Sequence, residues 1–235
     1  MLKKINLSVV REKVIAPAVR STCTSIILVG LFAALFIFTA CGDGGLRDPQ
    51  NAEEISSFEQ VHRMLSQLQT YRAIATVEYR SNKGSNTYET VQHARITGEY
   101  RIEVTGPAHV TGSTTVSDGR QILQFNSRVN GQVHIVPQET LERSQIFLTS
   151  FIKNYLQCEE ISVSVSDMED GVRTVLEATV PGEHHYMHTA RLWVDNATLV
   201  PVKLIILDRD GAERVIVTYH VFEKNVELGD ALFTL

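Results

Sequence analysis

Three histidines crowd the stretch "GEHHYMHTA": His184, His185 and His188. On a helix, His184 and His188 would share a face, as paired metal ligands do. Here Pro181-Gly182 precedes them and the alternating run "ARLWVD" follows, so the stretch reads as a turn entering a strand. Extended backbone would set His184 and His188 about 13 Å apart, at roughly 3.3 Å per residue, too far for one ion. They are expected to be solvated turn histidines. The sequence contains no Gly-x-Ser-x-Gly elbow, phosphate loop or dinucleotide fingerprint. Carboxylates are scattered and mostly stand beside basic residues, as on a solvated sheet face. The expectation is a protein without catalytic residues, metal or cofactor.

The cysteines are Cys23, Cys41 and Cys158. Cys41 ends the stretch "LFIFTACGDGG", in which an apolar run from Ile26 to Phe38 gives way to small and polar residues. At about 13 residues the run is short for a bilayer span, which needs about 20, and suits the apolar core of a signal peptide. An uncleaved span and simple secretion are the competing readings. The order Phe38-Thr39-Ala40-Cys41-Gly42 resembles the bacterial lipoprotein signal, in which small residues precede a cysteine that receives a diacylglycerol before cleavage ahead of it. Phe38 departs from that motif, which has an aliphatic residue there. Residues 1–40 are therefore expected to be a lipoprotein signal peptide, Cys41 the lipid-attachment site, and 41–52 a tether rich in Gly and Asp. Cys158 is then the one thiol left in the folded part, so no internal disulfide is expected. The formal net charge is −5, and the basic residues of the first 20 positions lie in the leader. Without a basic patch beyond them, no nucleic-acid partner is expected.

Residues 53–235 are long enough for a single domain with its own core. "EEISSFEQVHRMLSQLQTY" repeats Ile55, Phe58, Val61, Leu65 and Leu68 at helical intervals, with Asn51–Glu54 or Ser56–Glu59 as candidate capping pairs. The period then falls to two in "YRAIATVEYR", "EYRIEVTG", "ISVSVSD", "VRTVLEATV", "RLWVD", "PVKLIILD" and "RVIVTYHVF". Turn signals such as Asp118-Gly119, Asn130-Gly131, Asp170-Gly171 and Asp210-Gly211 separate these runs. One helix interrupts them, with Phe147, Leu148, Phe151, Ile152, Tyr155 and Leu156 along one stripe. The pattern predicts an α+β domain: a large curved antiparallel sheet of about ten or eleven strands, with the two helices on its concave face. Tyr79, Tyr100, Phe125, Phe147, Phe151 and Trp193 either line a cavity under that sheet or fill its core.

The tail from Leu192 to Leu235 carries Asp195, Pro201, Lys203, Asp210-Gly211, Asn225, Leu228 and Leu232-Phe233 in order. It resembles the C-terminal half of the lipoprotein-carrier superfamily of the LolA/LolB/RseB type, which implies a half-barrel fold. The hairpin around Asn82-Lys83, the strand Gly98 to Glu103 and the helix "FLTSFIKNY" are similar to the clostridial germination lipoproteins of the GerS type. That resemblance implies a lipid-anchored protein of the spore envelope that binds and activates an N-acetylmuramoyl-L-alanine amidase of the CwlD type. The amidase would carry the zinc and the chemistry that leads to muramic-lactam in the cortex. Strand-exchanged homodimers are also implied. The alternative is a lipid- or lipoprotein-binding acceptor or sensor of the LolA/LolB/RseB type. The residues that touch a partner are not assigned by the motifs.

Replacement of Cys41 tests the address directly. Cys41→Ala should abolish incorporation of radiolabelled palmitate and leave the precursor uncleaved at residue 41, as read by fluorography and mass spectrometry.

Overall fold

The computed structural model describes residues 4–7, 49–126, 133–137, 148–158, 160–182 and 185–234. Pro49 opens helix α1 (Pro49–Gln67), and proline suits a first helical turn because its missing N–H would have no partner there. The helix thus begins ahead of both candidate capping pairs. Ser56 lies inside it, where its hydroxyl accepts a bond from Gln60 Nε2 at 3.3 Å.

Six strands follow: β2 (Thr70–Ser81), β3 (Gly84–Arg95), β4 (Glu99–Gly106), β5 (Thr114–Asp118), β6 (Gln121–Phe125) and β7 (Val133–Pro137). Helix α2 (Leu148–Gln157) separates them from β8 (Glu160–Met168), β9 (Gly171–Thr179), β10 (Thr189–Asp195), β11 (Val200–Leu207) and β12 (Glu213–Lys224). A 3-10 turn at Asp230–Phe233 closes the described chain. The strands form one sheet in the order β8-β9-β10-β11-β12-β2-β3-β4-β5-β6-β7, each pair antiparallel. Two meanders therefore meet where the last strand pairs with the first, Val217 opposite Val77 and Tyr219 opposite Ala75. The expected half-barrel with its two helices is what the chain forms.

One strand was not expected. β1 (Lys4–Leu7), inside the proposed leader, lies parallel to β8, with Lys4 opposite Glu160 and Leu7 opposite Val163. The outer edge of β8 offers open N–H and C=O groups, and any extended segment can satisfy them.

Alternation decides which face is apolar. In β2, Tyr71, Ala73, Ala75 and Val77 are buried while the residues between them are half exposed. In β10, Ala190, Leu192 and Val194 point the same way. Both helices cover this face. Val61 and Leu65 of α1, with Leu68 just beyond it, and Leu148, Phe151, Ile152 and Tyr155 of α2 join one continuous core with the strands. His62 Nδ1 and the Tyr155 hydroxyl lie 2.9 Å apart and tie α1 to α2. Two expected members of the apolar stripes, Ile55 at 43% and Leu156 at 40%, are exposed. The buried stripes are therefore narrower than the sequence periodicity. Phe147 and Asn130-Gly131 lie outside the described residues.

The opposite face carries cross-strand ion pairs, among them Arg72–Glu223 at 3.2 Å and Arg191–Glu177 at 2.5 Å. It also holds a small apolar cluster of Ile205, Leu207 and Ile216, with Trp193 packed against it and Lys203 Nζ 5.9 Å from the Trp193 ring.

The most sensitive point of the inner core is the underside of α2. Phe151→Ala should lower unfolding free energy by about 3–5 kcal/mol in urea titrations, the usual cost of emptying a buried phenylalanine site.

Candidate functional site

A cleft of about 680 Å³ opens beside α1 at the end of the sheet. One wall is the polar face of α1, where Ser56, Glu59, Gln60, Arg63 and Gln67 recur at helical spacing with Met64 among them. The buried stripe of the same helix holds α1 to the sheet, so this polar face is turned aside. The other wall is made by Leu199, in the turn between β10 and β11, and by Lys224 and Asn225 at the end of β12.

Both Leu199 (φ 52°) and Asn225 (φ 54°) are left-handed, a conformation that non-glycine residues seldom adopt and that is least expected of a leucine. Each is held there by specific bonds. Asn225 N donates to Thr70 O at 2.7 Å, and Asn225 Oδ1 accepts from Gln69 N at 2.8 Å. Thr70 Oγ1 donates to Val226 O at 2.6 Å. The end of β12 is thereby clamped to the junction of α1 and β2. On the turn, Leu199 N donates to Asp195 O at 2.9 Å, while Asp195 Oδ1 accepts from Thr198 Oγ1 at 2.7 Å and Thr198 N at 2.8 Å. These bonds, the hydroxyl first, hold the Asp195 carboxyl below its ordinary range against the opposing effect of burial. Lys224 Nζ closes the junction by donating to Leu199 O at 3.0 Å and Thr198 O at 3.4 Å.

The residues singled out in the sequence do not converge. Cys41 and His184 lie outside the described residues. His185 and His188 are exposed in the connection from β9 to β10. His185 packs its ring on Tyr186, and His188 Nδ1 meets Thr189 Oγ1 at 3.0 Å. Among the described residues no group of three or more His, Cys, Asp or Glu is placed to hold a metal ion, and no helix is long and apolar enough to cross a membrane. Cys158 is half-buried just past α2, with Sγ 3.8 Å from Thr179 O. The aromatic set splits: Tyr100 and Phe151 are in the inner core, Phe125 is half-buried on β6, and Trp193 sits on the far face of the sheet. Trp193 is therefore corrected out of any cavity under the sheet, because it alternates with Leu192 and Val194.

Sequence reasoning missed the cleft. In the sequence Asn225 stands out only as a member of the closing segment. Leu199 gave no signal, since a left-handed position is normally announced by glycine. The other closing residues do have physical roles: Arg95 Nη2 donates to Leu228 O at 2.5 Å and to Asp230 Oδ1 at 2.7 Å, and its guanidinium lies 4.6 Å from the buried Phe233 ring.

An open antiparallel half-barrel covered by two helices on one face, with no metal-holding group among its described residues, is the fold class that the alternating sequence implied. More narrowly, the chain belongs to the sporulation protein YdcC-like family, whose model matches residues 23–233. Among solved structures it is similar to the GerS lipoprotein in complex with the CwlD amidase from Clostridioides difficile. The identity there is 30%, covering 72% of this chain and 94% of that one, with a TM-score of 0.43. It is also similar to a LolA superfamily protein from Nitrosomonas europaea (15% identity, 77% and 97% covered, TM-score 0.46). A putative outer membrane lipoprotein-sorting protein domain from Vibrio parahaemolyticus gives 12% identity, 77% and 96% covered, and a TM-score of 0.45. No curated protein sequence matches the chain.

The turn that presents Leu199 depends on an ionised Asp195. Its contribution is complete above the ordinary carboxylate range and is lost as pH falls through the lowered value of the folded state. Asp195→Ala should cost about 1 kcal/mol at pH 7, the scale of a charged hydrogen bond discounted for exposure. Denaturation of the two proteins at pH 7 and pH 3 should show the difference shrinking in acid.

Proposed function

We propose that this chain is a membrane-anchored, non-enzymatic lipoprotein that acts in sporulation by binding and activating a cell-wall amidase of the CwlD type. The observation that carries the reading is membership of a sporulation family over residues 23–233, a span that takes in Cys41 and residues 53–233 of the domain. GerS, 30% identical in sequence over 94% of its length, is the partner of an amidase in its own complex, which suggests the kind of partner to test. The signal-like order around Cys41 supports an extracytoplasmic location and a lipid anchor.

The physical role follows from tethering. A domain fixed to the membrane raises the local concentration of whatever it binds there. It activates that partner if it binds the competent conformation more tightly than the incompetent one. The long sheet supplies a docking edge. β7 ends at Pro137, which has no N–H to offer an added strand. Among the described residues the outer side of β8 is paired by the leader segment Lys4–Leu7 at Glu160–Val163, and removal of residues 1–40 would free those positions. Met168 and Val172, each 44% exposed at the β8–β9 hairpin, give the same edge an apolar end.

A second reading, a lipid-binding acceptor or sensor, is favoured by one feature of the inner face. Gln92 is fully buried and its Oε1 has no hydrogen-bond partner among the described residues, as is true of the buried Tyr219 hydroxyl. Buried polar atoms left unpaired cost about 1–3 kcal/mol each, a cost that a bound polar head group would offset.

Co-purification with the amidase separates the readings. The lipoprotein should co-elute with the amidase and raise its activity on peptidoglycan, and deletion should remove muramic-lactam from the cortex. A protein that does not associate, carries a lipid in native mass spectrometry and leaves the cortex unchanged on deletion would move the assignment to the second reading.

A further inference from the structure

The cleft beside α1 lies apart in the chain from the β8 edge proposed for docking and has a chemistry of its own. Lys224 is a positioned cation: an ammonium has three donors, and the carbonyls of Leu199 and Thr198 take two of them. Across the cleft, Arg63 carries five donors and no carboxylate partner among the described residues. Arg72, Arg95, Arg191 and Arg214 by contrast each have one. Gln60 and Gln67 add carboxamides that can both donate and accept. Met64, Leu68 and Leu199 supply small apolar surfaces between them. The volume falls within the roughly 300–1,000 Å³ of small-ligand sites.

Leu199 sharpens the assignment. A left-handed leucine costs free energy, of order 1–3 kcal/mol for residues held in sparsely populated backbone regions. Glycine or asparagine would hold the same turn at less cost, but neither would supply the isobutyl group that packs on the edge of the inner core and lines the cleft beside it.

We propose that the cleft binds a short peptide through its carboxylate, which Lys224 and Arg63 receive from opposite walls. Glu59, on the Arg63 wall, takes an amine of the same ligand. This mixture of two cations and one anion argues against a polyanion and for a zwitterionic peptide with small aliphatic side chains. Under the function proposed above, on which the choice of source rests, that peptide is the stem of the cell-wall polymer that the partner amidase works on. The tethered domain would then hold substrate as well as enzyme.

The test uses the detergent-solubilised mature lipoprotein and a synthetic tetrapeptide, Ala-Glu-Lys-Ala, either with free carboxylates or with both amidated. Isothermal titration calorimetry should show the free acid binding and the diamide weaker by about tenfold or more, the worth of one charge-assisted contact. Arg63→Gln, on an exposed helix face, should keep the melting temperature and weaken the free acid by a similar factor. Leu199→Gly relieves the left-handed backbone but gives up packing on the core, so its affinity is read beside its melting temperature and should be weaker. Equal binding of acid and diamide, no binding of either, or wild-type affinity in Arg63→Gln would overturn the proposal. Amidase association measured in parallel keeps the two ideas apart. If the amidase does not associate but the acid still binds, the function above falls and the cleft assignment stands. If Arg63→Gln loses the amidase while the wild type binds no peptide, the cleft is a protein contact and the assignment is overturned.

Discussion

An open sheet can exist in water only if its apolar face is covered, and here that duty falls on two helices of 19 and 10 residues. α2 is the deeper of the two, with Leu148, Phe151, Ile152 and Tyr155 all but completely buried. α1 lies on its edge, with Val61 and Leu65 inward and a polar stripe outward. The contact between His62 and Tyr155 couples them. Much else follows from this arrangement: because α1 buries one stripe only, its other face is left to form a wall.

The second wall depends on how the meanders meet. β2 and β12 are distant in sequence and adjacent at the centre of the sheet, so the start of the first meander and the end of the second share one corner. That corner collects the α1–β2 junction, the β10–β11 turn and the last residues of β12. A backbone bond from Asn225 and side-chain bonds from Thr70 and Lys224 lock the three together. A pairing of this kind closes a long loop, so the corner forms only once the domain is nearly complete.

The sheet was legible in the sequence because each strand alternates cleanly and the Asp-Gly pairs mark its turns. Ser162, Ser164 and Ser166 against Ile161, Val163 and Val165 is enough to place β8 on the sheet and choose its inner face. Errors arose where residue type was weighed above parity. Trp193 has the residue type of a core aromatic, yet Leu192 and Val194 beside it claim the inner face. Leu156 and Ile55 fall on the apolar stripes yet are exposed, because periodicity reports a helix face but not what covers each position on it. The cleft was not legible at all. Its walls come from three parts of the chain, and its most informative residue, Leu199, adopts a backbone conformation that its own type disfavours. No local rule finds a site assembled by a long-range strand pairing and stabilised against propensity.

Helix α1 also fixes a working radius. Eight chain steps separate Cys41 from Pro49, at most about 28 Å when fully drawn out. The 19 residues of α1 add about 28 Å more along its axis. If Cys41 is the anchor, every residue on the polar face of α1 is confined to a shell no thicker than the sum of these lengths above the bilayer. Only wall material and proteins that pass through that thin layer come within its range, so membrane proximity itself selects what the domain meets.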